Sequence, residues 1–327
     1  MNGMSEKKIL SICIPTYNRA LFLRKNLLLL EQIIVDNKLD DDVVIIVSDN
    51  HSVDSTKDVI KEIKSNSKFL IEDYYQLDNK GGIYNVFFVL TKVSSEYVML
   101  LGDDDFISEG YMKEVIKAIH SEHISCIIPS FYAYSAQGMK LSKGHRDINI
   151  PSKIYKKGFY NCLKNSWRAH QISGLVFKVD NHIKLSSYIN NLYPQIYFVA
   201  SSCLQGNTLH MTDYPLKVTS LKQEFKDWNY GNDGLISDVF NNYAKIDVNR
   251  IQRFCLEMWF LYLHYWRYGR YFRQGILSGC KAILRIATGS NTSFMTKVTC
   301  VPFCFIFIGI GIVRTYLYNS ILAKYDK

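Results

Sequence analysis

The stretch ILSICIPTYNRALFLRKNLLLLEQII, residues 9–34, contains two hydrophobic patterns in succession. Residues 9–15 form a short, continuous apolar run, as expected for a strand that is buried on both faces of a sheet. Residues 19–34 place apolar side chains at helical spacing. A buried strand followed by a helix is the repeating unit of α/β proteins, so this stretch predicts that fold class.

The same alternation continues through the first 134 residues. Apolar runs predict strands at residues 9–15, 42–49, 69–76, 96–102 and 124–134. Helical spacing predicts helices at residues 19–34, 55–65, 83–93 and 108–120. Asp54 and Ser108 stand at the start of two of these helices and are expected to cap them. The alternation predicts a Rossmann-like, mostly parallel sheet covered by helices on both faces.

The pattern weakens after about residue 135. Further strands are expected at residues 170–179 and 209–220. From residue 231 onward the chain becomes helical and aromatic, most clearly over residues 253–274. Residues 298–313, VTCVPFCFIFIGIGIV, carry no charge.

The composition is typical of a large folded protein, but one region has an unusual excess of positive charge. The chain has 327 residues, 48% of them hydrophobic and 21% charged, which permits a sizeable core and argues against disorder. The formal net charge is +9. Residues 250–327 hold 11 lysine and arginine residues and two acidic residues, so they carry the whole excess.

Eight cysteines are scattered along the chain, without a CxxC pair or the spacing of a zinc site. Several lie in apolar runs, where a free thiol behaves as a small hydrophobic group. We therefore expect a reducing compartment, with neither disulfides nor structural zinc. Residues 1–15 lack the length and the cleavage site of a signal peptide.

Polar clusters follow four of the predicted strands. They are PTYNR (15–19), SDNHS (48–52), DNKGG (78–82) and DDD (103–105). Because ligands of parallel sheets bind beyond the carboxyl ends of the strands, four such clusters on one edge predict a binding site there.

Together these motifs resemble family 2 glycosyltransferases of the GT-A fold, and most of all the bacterial subgroup that builds O-antigen and other surface polysaccharides. The resemblance is strong over residues 8–120, weaker to about residue 220 and absent beyond. It implies a GT-A domain over residues 1–225, with a nucleotide-sugar half (8–120) and an acceptor half (121–225). Residues 226–327 would form a basic, aromatic helical region that associates with membranes.

The resemblance implies a set of donor-binding residues. In the family, the first loop cradles the nucleotide base. A carboxylate at Asp49 could accept the N3–H of uracil or thymine, which cytosine lacks, so a UDP- or dTDP-linked donor is favoured. Lys80 could hold phosphate, and Asn85 could hold its loop or touch the ribose. The implied substrate-binding residues are Pro15, Thr16, Tyr17, Arg19, Asp49, Asn50, Lys80, Gly81, Asn85 and Asp103.

The three adjacent acids are expected to hold Mg²⁺ or Mn²⁺ on the diphosphate of the donor, since such ions prefer carboxylate oxygens. Family members often contain Asp-X-Asp-Asp here, which aligns Gly102 with the first acid. On that alignment Asp104 is the main metal ligand, Asp103 faces ribose or metal, and Asp105 caps the turn before the next helix. Asp103 and Asp105 also satisfy an Asp-X-Asp pattern as a pair.

An inverting transferase also needs a general base for the acceptor hydroxyl. The family usually provides it from a Glu-Asp pair at the start of a helix downstream of a GLVF-like strand. That strand matches SGLVFKVDN (173–181), but Pro194 and Gln195 stand where the acids would be. The remaining candidates for the base are Asp180, His170, Asp213, Glu224 and Asp227.

The C-terminal region predicts a membrane surface as a partner. Residues 298–313 would span about 24 Å as a helix, less than the roughly 30 Å of a bilayer core. A short span, a hairpin, an interfacial helix and a buried core helix all remain open. Upstream, basic and aromatic residues alternate, which suits anionic lipid. We expect no nucleic acid, because the apolar run would serve no purpose in a nucleic-acid-binding protein.

These features predict an inverting, metal-dependent glycosyltransferase that acts on a lipid-linked glycan at the cytoplasmic face of the bacterial inner membrane. One alternative is a non-catalytic glycan- or nucleotide-binding scaffold, which the missing Glu-Asp pair favours. Another is a nucleotidyltransferase, but the glycine-rich basic loop that such enzymes need near the first strand is absent.

Overall fold

The first strand–helix unit consists of strand β1 (Leu10–Thr16) and helix α1 (Ala20–Asp36). The computed structural model describes residues 7–121, 123–142, 144–179, 191–220 and 234–325. The chain divides into two compact units, Met1–Asn229 and Tyr230–Lys327.

The first unit is organised by a sheet that, within the described residues, has eight strands. The strands after β1 are β2 (Val43–Asp49), β3 (Ile71–Tyr75), β4 (Tyr97–Leu100), β5 (Ile124–Tyr134), β6 (Lys153–Tyr155), β7 (Leu175–Lys178) and β8 (Asn207–Thr219). Their order across the sheet is β3-β2-β1-β4-β7-β5-β8-β6.

Most neighbouring strands of this sheet are parallel. Strands β1 to β4 run in one direction, and β5 and β8 run parallel to each other. Strand β7 lies antiparallel between β4 and β5, and β6 is antiparallel to β8 at the edge. The predicted mostly parallel α/β sheet is therefore confirmed, and the carboxyl ends of β1, β2, β4 and β8 lie on the same edge.

Helices cover the sheet and fill the second unit. In the first unit they are α1, α2 (Thr56–Asn66), α3 (Gly82–Leu90), α4 (Glu109–Ser121), α5 (Phe159–Asn165), a 3₁₀ turn (Ser166–His170) and α6 (Pro194–Gln205). In the second unit they are α7 (Gly234–Lys245), α8 (Arg250–Leu263), α9 (Tyr265–Arg273), α10 (Ile276–Thr288) and α11 (Phe294–Tyr325).

Apolar residues pack the inner faces of these elements. Strands β1 and β2 are buried along almost their whole length, as their continuous apolar runs predict. Helix α1 buries Leu23, Leu27 and Leu30, which are spaced to lie on one face of a helix. Leu21 on the opposite side is 84% exposed.

The predicted strand at residues 170–179 starts five residues late. Gly174 has φ +75°, a left-handed conformation, and an added Cβ there would lie 2.3 Å from the Leu216 side chain. The residues before it form the 3₁₀ turn instead of extending the strand. Helix α6 lies where the resemblance places a helix, and ten of its twelve residues are buried. A helix that is buried on all sides shows no amphipathic pattern.

The helical, aromatic run at residues 253–274 consists of two helices, α8 and α9, which meet at His264. The apolar run at residues 298–313 lies within one continuous helix, α11, so the hairpin is wrong. Among the described residues, one helical segment is long and apolar enough to cross a membrane, Phe294–Val313.

A buried amide ties the first two strands to helix α3. The Asn85 Oδ1 atom accepts hydrogen bonds from Ser48 Oγ (2.5 Å) and Gln76 Nε2 (2.6 Å). Its Nδ2 atom donates to the backbone oxygens of Ser48 (2.9 Å) and Thr16 (3.2 Å). Asn85 is 2% exposed, so its loss would leave several polar groups unpaired away from water.

We expect Asn85→Ala to lower the free energy of unfolding by about 2–4 kcal/mol, measured by urea denaturation. The matched control is Asn66→Ala, which removes an exposed amide that donates to Glu62 O at 3.0 Å. It should change stability by less than about 0.5 kcal/mol. If Asn85→Ala lowers the free energy of unfolding no more than Asn66→Ala does, the role of Asn85 in holding these elements together would be contradicted.

Candidate functional site

Three polar loops converge at the carboxyl edge of the parallel strands. Thr16, the last residue of β1, pairs in register with Asp49, the last residue of β2. Asn50 N donates to Thr16 O (3.0 Å), and Leu101 N donates to Cys13 O (3.0 Å). The loops after β1, β2 and β4 are thereby held side by side, as the sequence predicts.

The loop after β1 contacts the acids directly. Thr16 Oγ1 donates a hydrogen bond to Asp103 Oδ2 (2.6 Å), and the positive charge of Arg19 also attracts the Asp103 carboxylate. Tyr17 and Arg19 are half-buried. Pro15 does not end the strand as expected. It lies within β1 opposite Ser48, and the strand ends at Thr16.

The loop after β2 is locked by its own side chains. Asp49 is 2% exposed and accepts hydrogen bonds from Ser52 N (3.1 Å) and Ser52 Oγ (2.5 Å). Asp54 accepts from Thr56 N (3.0 Å) at the start of α2 and from Ala20 N (3.2 Å) at the start of α1. Burial raises the pKa of Asp54, but these hydrogen bonds outweigh it and lower the pKa below its ordinary value. Its predicted capping role is confirmed.

The loop after β3 is joined to the loop after β2. Asn50 Nδ2 donates to Asn79 Oδ1 (2.7 Å), and Asn50 Oδ1 accepts from Lys80 N (3.2 Å). The Lys80 ammonium is partly exposed, 3.5 Å from an Asp78 carboxylate oxygen. Gly81 has φ +88° with open space around it. Of the two roles left open for Asn85, the structure shows the one that holds the loops together.

The acid loop, residues 102–105, turns alternate side chains inward. Asp103 and Asp105 are buried, at 9% and 5% exposure, whereas Asp104 between them is half-buried. Asp104 is therefore the member of the three that a ligand reaches most easily. Residues 103 and 104 lie in a turn, which Asp105 N closes by donating to Gly102 O (3.2 Å).

Asp105 joins the acid loop to two distant strands. It accepts hydrogen bonds from Ser173 Oγ before β7, from Gln171 Nε2 (3.2 Å) and from Thr219 N (2.7 Å) at the end of β8. The predicted role of Asp105 as a turn cap is therefore wrong. Ser108 caps the following helix, as predicted, by accepting from Tyr111 N at 3.2 Å.

The surroundings of Gly102 explain why this chain has a glycine where the family pattern often has its first acid. Its backbone N donates to Ser173 Oγ (2.9 Å). A Cβ at this position would lie 3.0 Å from that oxygen and 3.1 Å from Asp105 Oδ2. An acid at position 102 would thus crowd Ser173 and Asp105. Asn26, which is fully buried on α1, fixes the loop from below by donating to Gly102 O (3.0 Å) and Asp105 O (2.9 Å).

The electrostatics of the acid loop favour a bound cation. Burial, and then the charge of Asp104, raise the pKa of both Asp103 and Asp105 to about 7. A divalent ion near these carboxylates would relieve their mutual repulsion, and hard carboxylate oxygens suit Mg²⁺ or Mn²⁺. Within the described residues, no group of three or more histidine, cysteine or acidic side chains is arranged to hold a metal. Oxygens of a diphosphate and of water would have to complete the coordination.

The described candidates for the general base differ in their distance from the acid loop. His170 directly precedes Gln171, whose amide contacts Asp105, so it lies near the acid loop. Asp213 is exposed on β8, six residues before Thr219. That separation is about 15–20 Å of strand, so the structure does not bring Asp213 to the acids. Asp180, Glu224 and Asp227 lie outside the described residues.

Gln195, which replaces a family acid, also lies beside His170. It stands in the first turn of α6, and its Nε2 atom donates to His170 O at 3.4 Å. Gln195 is 4% exposed, and among the described residues no group donates to its Oε1 atom. On the alignment that the resemblance implies, the position of the base is therefore occupied by a buried amide that cannot take a proton at neutral pH.

Sequence reasoning missed the residues that support the acid loop from elsewhere in the chain. Gln171, Ser173 and Thr219 contact Asp105, and Asn26 contacts the loop backbone. Thr219 also donates to Asp104 O through its hydroxyl. No local pattern marks these residues, because their role depends on which strands become neighbours.

Comparison with known proteins identifies the family. The family model described as Glycosyl transferase family 2 matches residues 11–183, more than half of the chain. The chain belongs to glycosyl transferase family 2. The matched segment includes all four polar loops and the acids, and the resemblance drawn from the motifs is confirmed.

Curated relatives cover parts of this family 2 chain. It is 24% identical to abequosyltransferase RfbV of Salmonella typhimurium over 226 residues, which are 64% of this chain and 66% of that protein. It is 30% identical over 111 residues to the GalNAc(5)-diNAcBac-PP-undecaprenol beta-1,3-glucosyltransferase of Campylobacter jejuni, a third of each chain. The chain therefore spans less than two thirds of these relatives' own lengths.

Solved structures share the fold. The S. aureus TarS 1–349 structure in complex with UDP-GlcNAc has a TM-score of 0.66 and 15% identity, covering 87% of this chain and 81% of that one. The mannosyltransferase PcManGT from Pyrobaculum calidifontis, in complex with GDP-Man and Mn²⁺, has a TM-score of 0.54 and 12% identity, covering 93% and 86%. The predicted GT-A fold is confirmed.

The raised pKa values of Asp103 and Asp105 predict an unusual dependence of stability on pH. Between about pH 4 and 7 the folded chain binds protons that the unfolded chain does not, so stability increases as the pH falls through this window and is lost as it rises through 7. With a chelator present, we expect Asp103→Asn to weaken this dependence and to gain about 1–2 kcal/mol at pH 8.

Urea denaturation at pH 5.5 and pH 8 measures both effects. The control is Asp41→Asn, at a carboxylate that is 94% exposed, and it should leave the pH dependence as in the parent chain. Equal pH dependence in the parent chain and in Asp103→Asn would show that burial does not disfavour the charged acid.

Proposed function

We propose that this chain is an inverting glycosyltransferase that moves a sugar from a nucleotide-sugar donor to a hydroxyl of a lipid-linked glycan, in the synthesis of a bacterial surface polysaccharide. The acid loop carries the proposal, because it presents half-buried Asp104 between two buried carboxylates at the carboxyl ends of parallel strands. Transfer releases a nucleoside diphosphate, whose growing negative charge must be stabilised at such a place.

In this proposal the acid loop holds the diphosphate end of the donor. A bound Mg²⁺ or Mn²⁺ would neutralise the charge that develops on the leaving diphosphate. Asp104 is the principal ligand, and Asp103 assists from its fixed position against Thr16. Asp105 holds the loop in shape through β7 and β8. Lys80, on the neighbouring loop, adds positive charge for the phosphates.

The loops after β1 and β2 would hold the nucleotide base. Tyr17 offers a half-buried ring, and Asp49 offers a carboxylate whose orientation is fixed by Ser52. Acceptance of the N3–H of uracil or thymine by Asp49 favours a UDP- or dTDP-linked donor. The link between Asn50 and Lys80 couples base binding to phosphate binding.

His170 is the base candidate that the geometry supports best. It lies beside Gln171, which contacts the acid loop, whereas Asp213 lies well away on β8. A neutral imidazole at His170 would take the proton of the acceptor hydroxyl as that oxygen attacks the sugar.

The relatives support the substrate class. One is named an abequosyltransferase, and another is named for transfer to an undecaprenol-linked glycan. The structural neighbours were solved with UDP-GlcNAc and with GDP-Man and Mn²⁺. By analogy, we propose that the second unit holds this enzyme at the cytoplasmic face of the bacterial inner membrane, where a lipid-linked acceptor would be found.

We expect Asp104→Ala to lower Mn²⁺-dependent donor turnover by at least about 100-fold, because it removes the main ligand of the ion that stabilises the leaving group. Release of nucleoside diphosphate from a panel of UDP-, dTDP- and GDP-sugars, with and without Mn²⁺, measures this. Asp78→Ala, at an acid with a 65% exposed side chain, is the control and should retain turnover.

The same assay separates the enzyme from a non-catalytic scaffold. The amide at Gln195, in the place of a family acid, is the observation that favours the scaffold. Binding of a nucleotide sugar without metal-dependent turnover of any donor would replace the transferase proposal with that alternative. Turnover that survives in Asp104→Ala would remove Asp104 from its proposed role.

Base recognition is tested by exchanging one carboxylate for an amide. We expect Asp49→Asn to reduce the preference for UDP over CDP by about tenfold or more, because an amide can donate to the N3 atom of cytosine. Calorimetric titration with both nucleotides in the presence of Mn²⁺ gives the two affinities. Ser52→Ala, which disturbs the turn but keeps the carboxylate, should retain the UDP preference. An unchanged preference in Asp49→Asn would exclude the contact.

A further inference from the structure

Helix α11 has two unlike faces. A narrow seam is buried and includes Thr296, Cys300 and Cys304, each at 0% exposure. At 100° per residue, the exposed positions between residues 294 and 313 cover about half of the helix circumference. These exposed large apolar residues are Phe294, Met295, Val298, Phe303, Phe305, Ile306, Ile310, Ile312 and Val313.

Helix α11 packs against the other helices of the second unit over the middle of the apolar segment. The rings of Phe305 and Phe272 on α9 lie 5.6 Å apart, and those of Phe307 and Tyr262 on α8 lie 5.4 Å apart. At Gly311, an added Cβ would lie 2.0 Å from the ring of Tyr265. The absence of a side chain at position 311 permits this close approach.

This packing bears on how the helix meets a membrane. Helix α9 contains three arginines in its nine residues, YWRYGRYFR. If α11 crossed a bilayer, α9 would have to enter the hydrocarbon beside it, where charged side chains are strongly disfavoured. At the other end of the segment, fully buried Glu257 on α8 accepts hydrogen bonds from Arg253 Nε (2.9 Å) and Ser293 Oγ (2.6 Å). A spanning arrangement would also bring this ion pair toward the lipid.

Helix α10 adds a second apolar surface. Ile276, Leu277 and Leu284 are 75%, 77% and 55% exposed. Lys281 and Arg285 lie on the same side as Leu277 and Leu284 at helical spacing. Apolar side chains flanked by long basic ones are typical of a helix that lies in a lipid headgroup region.

We propose that α11 does not span the bilayer. Together with α10, it forms an interfacial surface that lies in the plane of the membrane, with its exposed face among the acyl chains of one leaflet. The occupant of this surface is an anionic lipid leaflet, because residues 250–327 carry the whole +9 charge of the chain. This inference rests on the membrane attachment proposed above, and it adds the mode of attachment and the residues responsible.

Vesicle flotation of the full chain tests lipid binding without requiring activity. We expect the chain to float with vesicles of phosphatidylglycerol and phosphatidylcholine, and to float less with phosphatidylcholine alone or in 1 M salt. The double variant Ile306→Asp, Ile310→Asp should reduce partitioning at least about tenfold, because it places two charges in the acyl region. Both positions are about half exposed, so folding should be retained, which Tm checks.

The matched control is Leu21→Asp, which places a charge at an exposed leucine of the first unit. It should float as the parent chain does. Equal loss in Leu21→Asp and in the double variant would show that any added charge prevents binding, and would overturn the assignment of α11.

Orientation is tested with a tag after residue 327, expressed in a bacterial host. An interfacial α11 leaves the tag open to protease in inverted inner-membrane vesicles and protected in spheroplasts. Digestion in spheroplasts would show that α11 spans the membrane and would overturn the proposal. If the chain binds none of the vesicles but dimerises as its concentration rises, the apolar face would instead be assigned to a second copy of the chain. Donor turnover is measured separately, so a failure of the transferase proposal leaves these results interpretable.

Discussion

The carboxylate of Asp105 is the interaction on which the rest of the candidate site depends. It joins the loop after β4 to Gln171 and Ser173 before β7 and to the backbone of Thr219 at the end of β8. These segments come from three separate parts of the chain, and the acid is nearly inaccessible to water. A buried carboxylate is tolerated only when several donors satisfy it, so its burial and its partners depend on one another.

That constraint divides the three adjacent acids by function. The turn at residues 102–105 is closed by a hydrogen bond from Asp105 N to Gly102 O (3.2 Å), and it buries the side chains of Asp103 and Asp105 while Asp104 is left half-buried. Asp103 is then held by Thr16, which links the acid loop to the nucleotide loop after β1. The raised pKa of the two buried acids comes first from burial and then from the charge of Asp104, and a bound cation would offset both effects.

Much of the first half of the chain could be predicted because its strands are continuous apolar runs and its helices have one apolar face. Predictions failed where tertiary contacts decide the local conformation. Gly174 adopts a left-handed conformation, so the strand predicted from residue 170 begins only at Leu175. Asp105 accepts hydrogen bonds from Ser173 and Thr219 instead of capping the turn before α4, whereas Ser108 caps α4 as predicted.

By itself, the sequence determined the α/β fold, the order of the four polar loops, the family and the basic, apolar C-terminal region. All of these depend on residue type and on spacing within about twenty positions. Tertiary structure decided which of the three acids is most accessible, which residues support the acid loop, and which side of α11 is left exposed. Those properties depend on neighbours that are distant in the chain, such as Thr219 beside Asp105 and Phe272 beside Phe305. Local patterns cannot specify such contacts, because folding alone brings those residues together.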